Sequence, residues 1–318
     1  NSFVTNDKKS ANKAVLSEKR LQKDSESILR VMEEKTMNPE NKITQSQKMM
    51  VFVLSMSLYG LATLFTELIP SFQVGIVEFS VEYFLFIPLT LSMLFDPLSA
   101  ALGAATGELV FSEIMLGQFG GLGELEKFLT VTIGVYIAGR LVKNPKNRKM
   151  VAAASILGVT IQQLMGCVVD ILKVQFAVED FEAVAGLPES VFFTEGFACL
   201  NDILFSGILF CMLPAVYLVP KLYGKIEPLL GMKPRDEKTV LGSENAISLK
   251  VVLLSLAGFV AAIGAELLAS GGYELIDWEA AWAESTGAFI TAIIVAAVVL
   301  LIAVGVIRNR AAGSKNAG

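Results

Sequence analysis

Apolar residues along this chain are gathered into blocks, and the charged residues sit between them. A helix needs roughly 20 predominantly apolar residues to cross the hydrocarbon core of a bilayer. Blocks of that order occupy 49–69, 150–172, 198–219, 249–269 and 286–307. Three shorter ones, 82–95, 98–116 and 125–142, crowd between the first two. Asp96-Pro97 parts the first pair of these, and the glycine-rich run GQFGGLG at 117–123 parts the second. The pattern predicts an all-α integral membrane protein with eight transmembrane helices, or one in which 82–116 forms a single broken or re-entrant element.

Residues 1–48 are polar and charged, so the basic region and apolar run of a signal peptide are not expected near residue 1. Within this arm, Asn12 to Lys35 reads as an amphipathic helix with Leu21, Ile28, Leu29 and Met32 on one stripe. Met37-Asn38-Pro39 ends it, because proline disfavours helix in the residue before it. The expected organisation is an arm at 1–48, a six-span core at 49–220 and a cytoplasmic linker at 221–248. Two additional spans at 249–307 and a tail at 308–318 complete it.

Composition agrees with the pattern: 53% of the 318 residues are hydrophobic and 18% charged, against about 25% charged in a soluble domain. Charge then orients the spans, because Lys and Arg accumulate in cytoplasmic loops. Arg140, Lys143, Lys146, Arg148 and Lys149 cluster at 140–149. Lys221, Lys225, Lys233, Arg235, Lys238 and Lys250 mark 220–250, and Arg308, Arg310 and Lys315 mark the C-terminus. The loops at 70–81, 117–126, 174–197 and 270–285 contain neither Lys nor Arg. Eight crossings put every basic loop inside and every basic-free loop outside, with both termini cytoplasmic in the cell membrane.

The chain has no histidine, which excludes histidine-based zinc sites, serine–histidine triads and histidine proton relays. Cys167, Cys199 and Cys211 form no CxxC pair and read as small buried hydrophobes rather than a metal site or disulfide framework. No nucleotide-binding loop, redox motif or nucleophile with its base can be read. The expectation is a protein that is not an enzyme and needs no cofactor, no metal and no nucleic acid.

The face opposite the basic loops is acidic, and a negative mouth concentrates cations. Ionisable and polar groups inside predicted spans are the sharper candidates, since such groups in hydrocarbon usually face a cavity or a partner. Glu108 lies deep in the 98–116 span, with Glu113 five residues on and so on a different part of the helix surface. Gln162, Gln163 and Asp170 lie on the 150–172 span, Gln163 and Asp170 sharing a face two turns apart. Asn201 and Asp202 begin the next span, where Asp202 also suits a helix cap. Glu82 and Tyr83 join these as candidate ligand contacts at the outer end of 82–95. Interhelical hydrogen bonding is the plain alternative for each residue. Ala100/Ala104 and Gly103/Gly107 form small-xxx-small pairs, which bring helices close either within the bundle or against a partner subunit.

Residues 81–142 resemble the middle of the substrate-binding (S) component of an energy-coupling factor (ECF) vitamin or micronutrient transporter. The resemblance rests on an apolar span, then Leu94-Phe95-Asp96-Pro97-Leu98-Ser99-Ala100-Ala101-Leu102-Gly103-Ala104, then a span ending in an acidic residue. A Gly-containing loop and a span running into Gly139-Arg140 follow. Such components have six spans with both termini inside, which matches 49–219 in number and orientation. The usual Ala-xxx-Ala surface of the family's first span is absent; Ser55, Ser57, Gly60 and Ala62 stand there instead. The resemblance implies ligand capture without catalysis, beside a separate coupling membrane subunit and ATPase subunits. Outer loops at 70–81 and 174–197 would cover the pocket, with Phe72, Phe79, Tyr83, Phe176, Phe181, Phe192 and Phe193 as aromatic surface. Two other readings stand beside it: a self-contained ion-coupled secondary transporter, and a non-transporting membrane subunit of a larger complex.

Overall fold

A computed structural model gives the architecture. It describes residues 43–67, 69, 72–74, 77–79, 81, 84–117, 119–176, 187–235 and 248–272, with 290, 291, 294 and 298. Expectations for residues 1–42, Glu82, Tyr83, 177–186, 236–247 and most of 286–307 lie outside the described residues. The fold below is that of the unit Gln45–Gly318.

Helix α1 spans Gln45–Thr66 and is followed by a short antiparallel hairpin, β1 (Phe72–Val74) and β2 (Val77–Phe79). Its register pairs Phe72 with Phe79 and Gln73 with Glu78. The hairpin is a small extended connection among described elements that are otherwise all helical, as expected. Apolar content alone does not distinguish six extended residues in a connection from the end of a span.

Next come α2 (Phe86–Leu94) and α3 (Pro97–Glu108), the latter continuing as a π-helix over Leu109–Ile114. Asp96 separates them: it N-caps α3 through Ser99 N–H at 2.9 Å, and Pro97 occupies the first turn, where it needs no intrahelical partner. The 82–95 block was expected as a short span or as part of a broken element over 82–116, and the helix within it, α2, has only nine residues. That is about 13 Å of helix against a core of about 30 Å.

A 3-10 turn (Gly121–Gly123) leads into α4 (Glu124–Leu141), and α5 covers Arg148–Gln175 behind the N-cap of Asn147. Helix α6 (Val191–Asp202) runs through a ten-residue π segment, Ile203–Met212, into α7 (Leu213–Leu222). Helix α8 covers Leu249–Ser270. The helix expected to begin at 198 therefore begins at Val191. Helical hydrogen bonding continues past Glu195, because a helix tolerates polar residues where it leaves the apolar layer. Among the described residues, four helical stretches are long and apolar enough to cross a membrane: Gln45–Thr66, Arg148–Gln175, Val191–Leu222 and Leu249–Ser270.

The tightest packing joins α1 to α3, which run parallel. A Cβ on Gly103 would fall on the Phe52 carbonyl, and one on Gly107 on the Met56 carbonyl; Gly60 meets Gly107 and Phe111 in the same way. Ser55 Oγ donates to the Ala100 carbonyl at 2.7 Å. Ala100 and Ala104 are completely buried. The small-residue face is thus used inside the bundle rather than offered to another subunit. Because α1 and α3 point the same way, the chain between Thr66 and Pro97 must return along the bundle.

Helix α4 packs on α3 and α5, and α2 fits among α1, α3, α4 and α7. Helix α8 lies against α4, the 3-10 turn and α5, so the first of the two expected extra spans is part of the bundle. The outward faces are apolar: Leu249, Leu254 and Val260 on α8 are each more than half exposed.

Candidate functional site

One end of the bundle gathers acidic side chains from several helices. Glu108 closes the regular turns of α3, and the π-helix begins at the next residue. Its i→i+5 bonding, seen where Met115 N–H donates to the Val110 carbonyl, brings residues five apart onto one side. This corrects the expected separation of Glu108 and Glu113, which assumed an unbroken α-helix. Ser112 and Glu113 both turn inward and are buried.

Glu113 Oε1 accepts a hydrogen bond from Lys127 Nζ at 3.0 Å, and the same ammonium lies 3.8 Å from Glu124 Oε2. Glu124 Oε1 accepts from Gly120 N–H at 3.0 Å, tying the glycine-rich loop to the first turn of α4. Ser112 Oγ donates to Glu67 Oε1 at 3.4 Å, which adds the end of α1. On the other flank Lys173 lies 2.9 Å from Asp170 Oδ1 and 3.7 Å from Glu266 Oε1. Ser270 Oγ also donates to Glu266 Oε1, at 3.2 Å. Gly123 leaves room for this carboxylate, since a Cβ there would stand 2.7 Å from Glu266 Oε2. Glu126 links the two flanks, within electrostatic reach of Asp170, Glu266, Lys127 and Lys173.

Glu108 faces Lys127, Glu113, Glu124 and Glu126 electrostatically, yet its Oε2 is buried without a hydrogen-bond partner. Among the described residues, no group of three or more His, Cys, Asp or Glu is arranged to hold a metal ion. The cluster's chemistry is therefore that of a field: carboxylates outnumber the two lysines, which favours an arriving positive charge or proton.

The other candidates fall in different places. Asp170 belongs to the cluster through Lys173. Gln162 turns towards Gly134 on α4, and its Oε1 is buried without a partner, while Gln163 is half-buried on α5. Asn201 and Asp202 are the last α-helical residues before the π segment, well inside the helix that starts at Val191. Asp202 therefore does not cap a helix start, as was one expectation. Phe176, Phe192 and Phe193 are exposed. Glu82 and Tyr83 lie outside the described residues.

The opposite end is closed by a strap, Tyr223–Arg235, the first part of the expected 221–248 linker. Arg235 Nη1 donates to the carbonyls of Met93 (3.0 Å), Gly139 (2.9 Å) and Val142 (3.2 Å), and Nη2 to that of Phe95 (2.9 Å). These carbonyls end α2 and α4. A helix leaves its last four carbonyls without intrahelical partners, and the negative end of its dipole favours a cation. The strap is fastened by Tyr223 Oη donating to the Arg235 carbonyl at 2.5 Å, and by Gln47 Nε2 donating to the Gly231 carbonyl at 2.7 Å. Gly231 adopts φ +66°, the left-handed turn that lets the chain double back after the 3-10 turn Glu227–Leu230.

Sequence reading missed Arg235 and Glu266 as site residues. Arg235 was counted among the loop cations, and nothing in the sequence distinguishes it from its neighbours. Glu266 did carry a signal, as an ionisable residue in an apolar block, the rule that singled out Glu108.

Fold and site together define a predominantly helical protein whose apolar helices are compatible with membrane insertion. Residues 50–316 match a family described as a family of unknown function (DUF8171), and the chain belongs to that family. No curated protein and no solved structure matches it.

Proposed function

We propose that this protein is the membrane-embedded capture subunit of a micronutrient uptake system, taking a small cationic ligand at its acidic end without catalysing a reaction. The observation that carries this reading is the unpartnered carboxylate oxygen of Glu108 among the cluster of Glu113, Glu124, Glu126 and Lys127. The Arg235 plug at the other end supports it, because a site that opens towards one end must be sealed at the other. Eight crossings in the cell membrane, with both termini and the Arg235 end cytoplasmic, complete the proposal. Loop charge and the parallel course of α1 and α3 support this reading. The resemblance to ECF S components supplies the expected partners, a coupling membrane subunit and ATPase subunits. Since α1 buries its small residues against α3, such partners would dock elsewhere than on that face.

Purification in mild detergent tests this, with mass spectrometry of both chains and small molecules. The expected result is a copurifying cation together with ATPase and coupling subunits, the cation being lost from Glu108→Gln and Asp170→Asn variants. Retention of the cation in both variants refutes the site, and recovery of the chain alone refutes the partners.

A second reading, an ion-coupled secondary transporter, is favoured by the same Glu108 carboxylate, which is placed to carry a proton or cation. Proteoliposomes containing only this chain distinguish the two. Cation uptake driven by an imposed pH gradient supports the transporter; its absence, with binding intact, supports the capture subunit. A stable complex that neither binds nor moves a small cation leaves the structural-subunit reading instead.

A further inference from the structure

The Arg235 contact ties together two helix ends that also pack directly, Gly139 on α4 standing against Ser92 on α2. Its fork reaches Met93 and Phe95 at the end of α2, and Gly139 and Val142 at the end of α4. The side chain that does this comes from a surface strap, about 140 residues along the chain from its α2 partners. Tyr223 Oη on the Arg235 carbonyl braces the strap internally, while Gln47 on Gly231, the Lys146 ammonium 5.3 Å from the Tyr223 ring centroid, and the buried Glu227 and Met232 hold it in place. Helix α2 is a nine-residue helix with a backbone break at Phe95-Asp96, buried among α1, α3, α4 and α7.

We propose that Arg235 is a latch: it holds the ends of α2 and α4 together in the state seen here, and withdrawal of the strap opens the bundle at this end. Burial pushes the guanidinium down to about 10, with Asp96 acting to raise it and Arg140 to lower it. The group stays charged at neutral pH, so a proton does not release it and the strap must be drawn away. Once withdrawn, the guanidinium and the four carbonyls are hydrated by the aqueous phase at the same end, which makes the exchange reversible. The latch goes beyond the capture reading, in which this end is sealed, and its test needs no ligand.

The test is cysteine accessibility at Thr90. This residue is buried on α2 about one turn from its end, and its hydroxyl has no hydrogen-bond partner, so Thr90→Cys breaks no side-chain hydrogen bond. Right-side-out and inside-out vesicles are treated with a membrane-impermeant maleimide, the chain with only its native cysteines giving the background. Thr90→Cys alone should label slowly from both faces. Adding Arg235→Ala, which removes four charge-assisted hydrogen bonds, should speed labelling from the Arg235 face only, by at least the roughly tenfold factor that one such bond is worth. Arg235→Lys should fall between, and Tyr223→Phe should give a smaller rise on the same face. Unchanged labelling in Arg235→Ala and Tyr223→Phe overturns the latch, as does equal acceleration from both faces, which reports general loosening. If Arg235→Ala does not accumulate as folded protein, Tyr223→Phe keeps the guanidinium in place and decides the matter. Accelerated labelling without any cation binding would leave the latch standing and remove the capture reading.

Discussion

At the basic end one guanidinium is met by four carbonyls, whereas at the acidic end carboxylates from α1, α3, α4, α5 and α8 share two lysines. Glu108 is left there with an oxygen that bonds nothing. Both ends bury charge, which is costly unless the charge is paired and hydrogen-bonded. The Arg235 guanidinium meets the hydrogen-bonding part of that condition through its four carbonyls and should be a net source of stability, even though Glu227 on the same strap keeps one buried oxygen without a partner. The acidic end does not, and natural proteins keep such unsatisfied groups where function requires them. The difference teaches that removing charge from the two ends should change stability with opposite sign.

Four substitutions test the comparison, in order of expected size. Gly107→Leu should be the most damaging, because its side chain would enter the Met56 backbone on α1. A loss of about 3 kcal/mol or more is expected in detergent unfolding, the upper end for overpacking of a rigid site. Both ends depend on this contact, so an unperturbed midpoint would undo the α1–α3 packing on which the comparison stands. Arg235→Gln should cost about 2–3 kcal/mol, since an amide replaces the charged fork and leaves buried carbonyls short of donors. Differential scanning with and without the substitution measures it.

Glu108→Gln should run the other way. Exchanging a carboxylate that has one buried oxygen without a partner for an amide should leave stability unchanged or raise it by about 1 kcal/mol, while weakening cation binding. A clear destabilisation would mean that Glu108 holds the bundle together, and the contrast between the ends would fail. Ser55→Ala is the smallest probe. It removes the hydrogen bond to the Ala100 carbonyl, and a loss of about 0.6 kcal/mol is expected from such bonds in membrane bundles. A loss several times larger would show that the α1–α3 contact depends on polar bonding more than on close approach.

Much of the fold was legible along the chain. Each described helix has an apolar block behind it, and helix ends at Asp96-Pro97, Asn147 and Gly271 follow capping chemistry that is local in sequence. The small-xxx-small pairs at Ala100, Gly103, Ala104 and Gly107 were legible as a close-packing face, but not their partner, because a smooth helix surface does not name its neighbour. Helix α2 was misjudged in length: apolar residues before Phe86 satisfy a hydropathy pattern whether or not they are helical. Glu113 was assigned to the wrong face because a π-helix is set by local packing and carries no marker in residue type.

The sequence by itself determined which segments are apolar enough for a membrane, which end of each is basic, and which ionisable groups lie at unusual depth. These depend on composition within a short window and on the cost of placing charge in hydrocarbon. Tertiary structure alone decided what those groups meet. It set Glu266 of α8 beside Lys173 of α5, turned Glu113 onto the side of Glu108, and sent Arg235 from a basic loop to the ends of α2 and α4. Residues far apart in sequence become neighbours only when helices pack, and their hydrogen bonds follow from that packing.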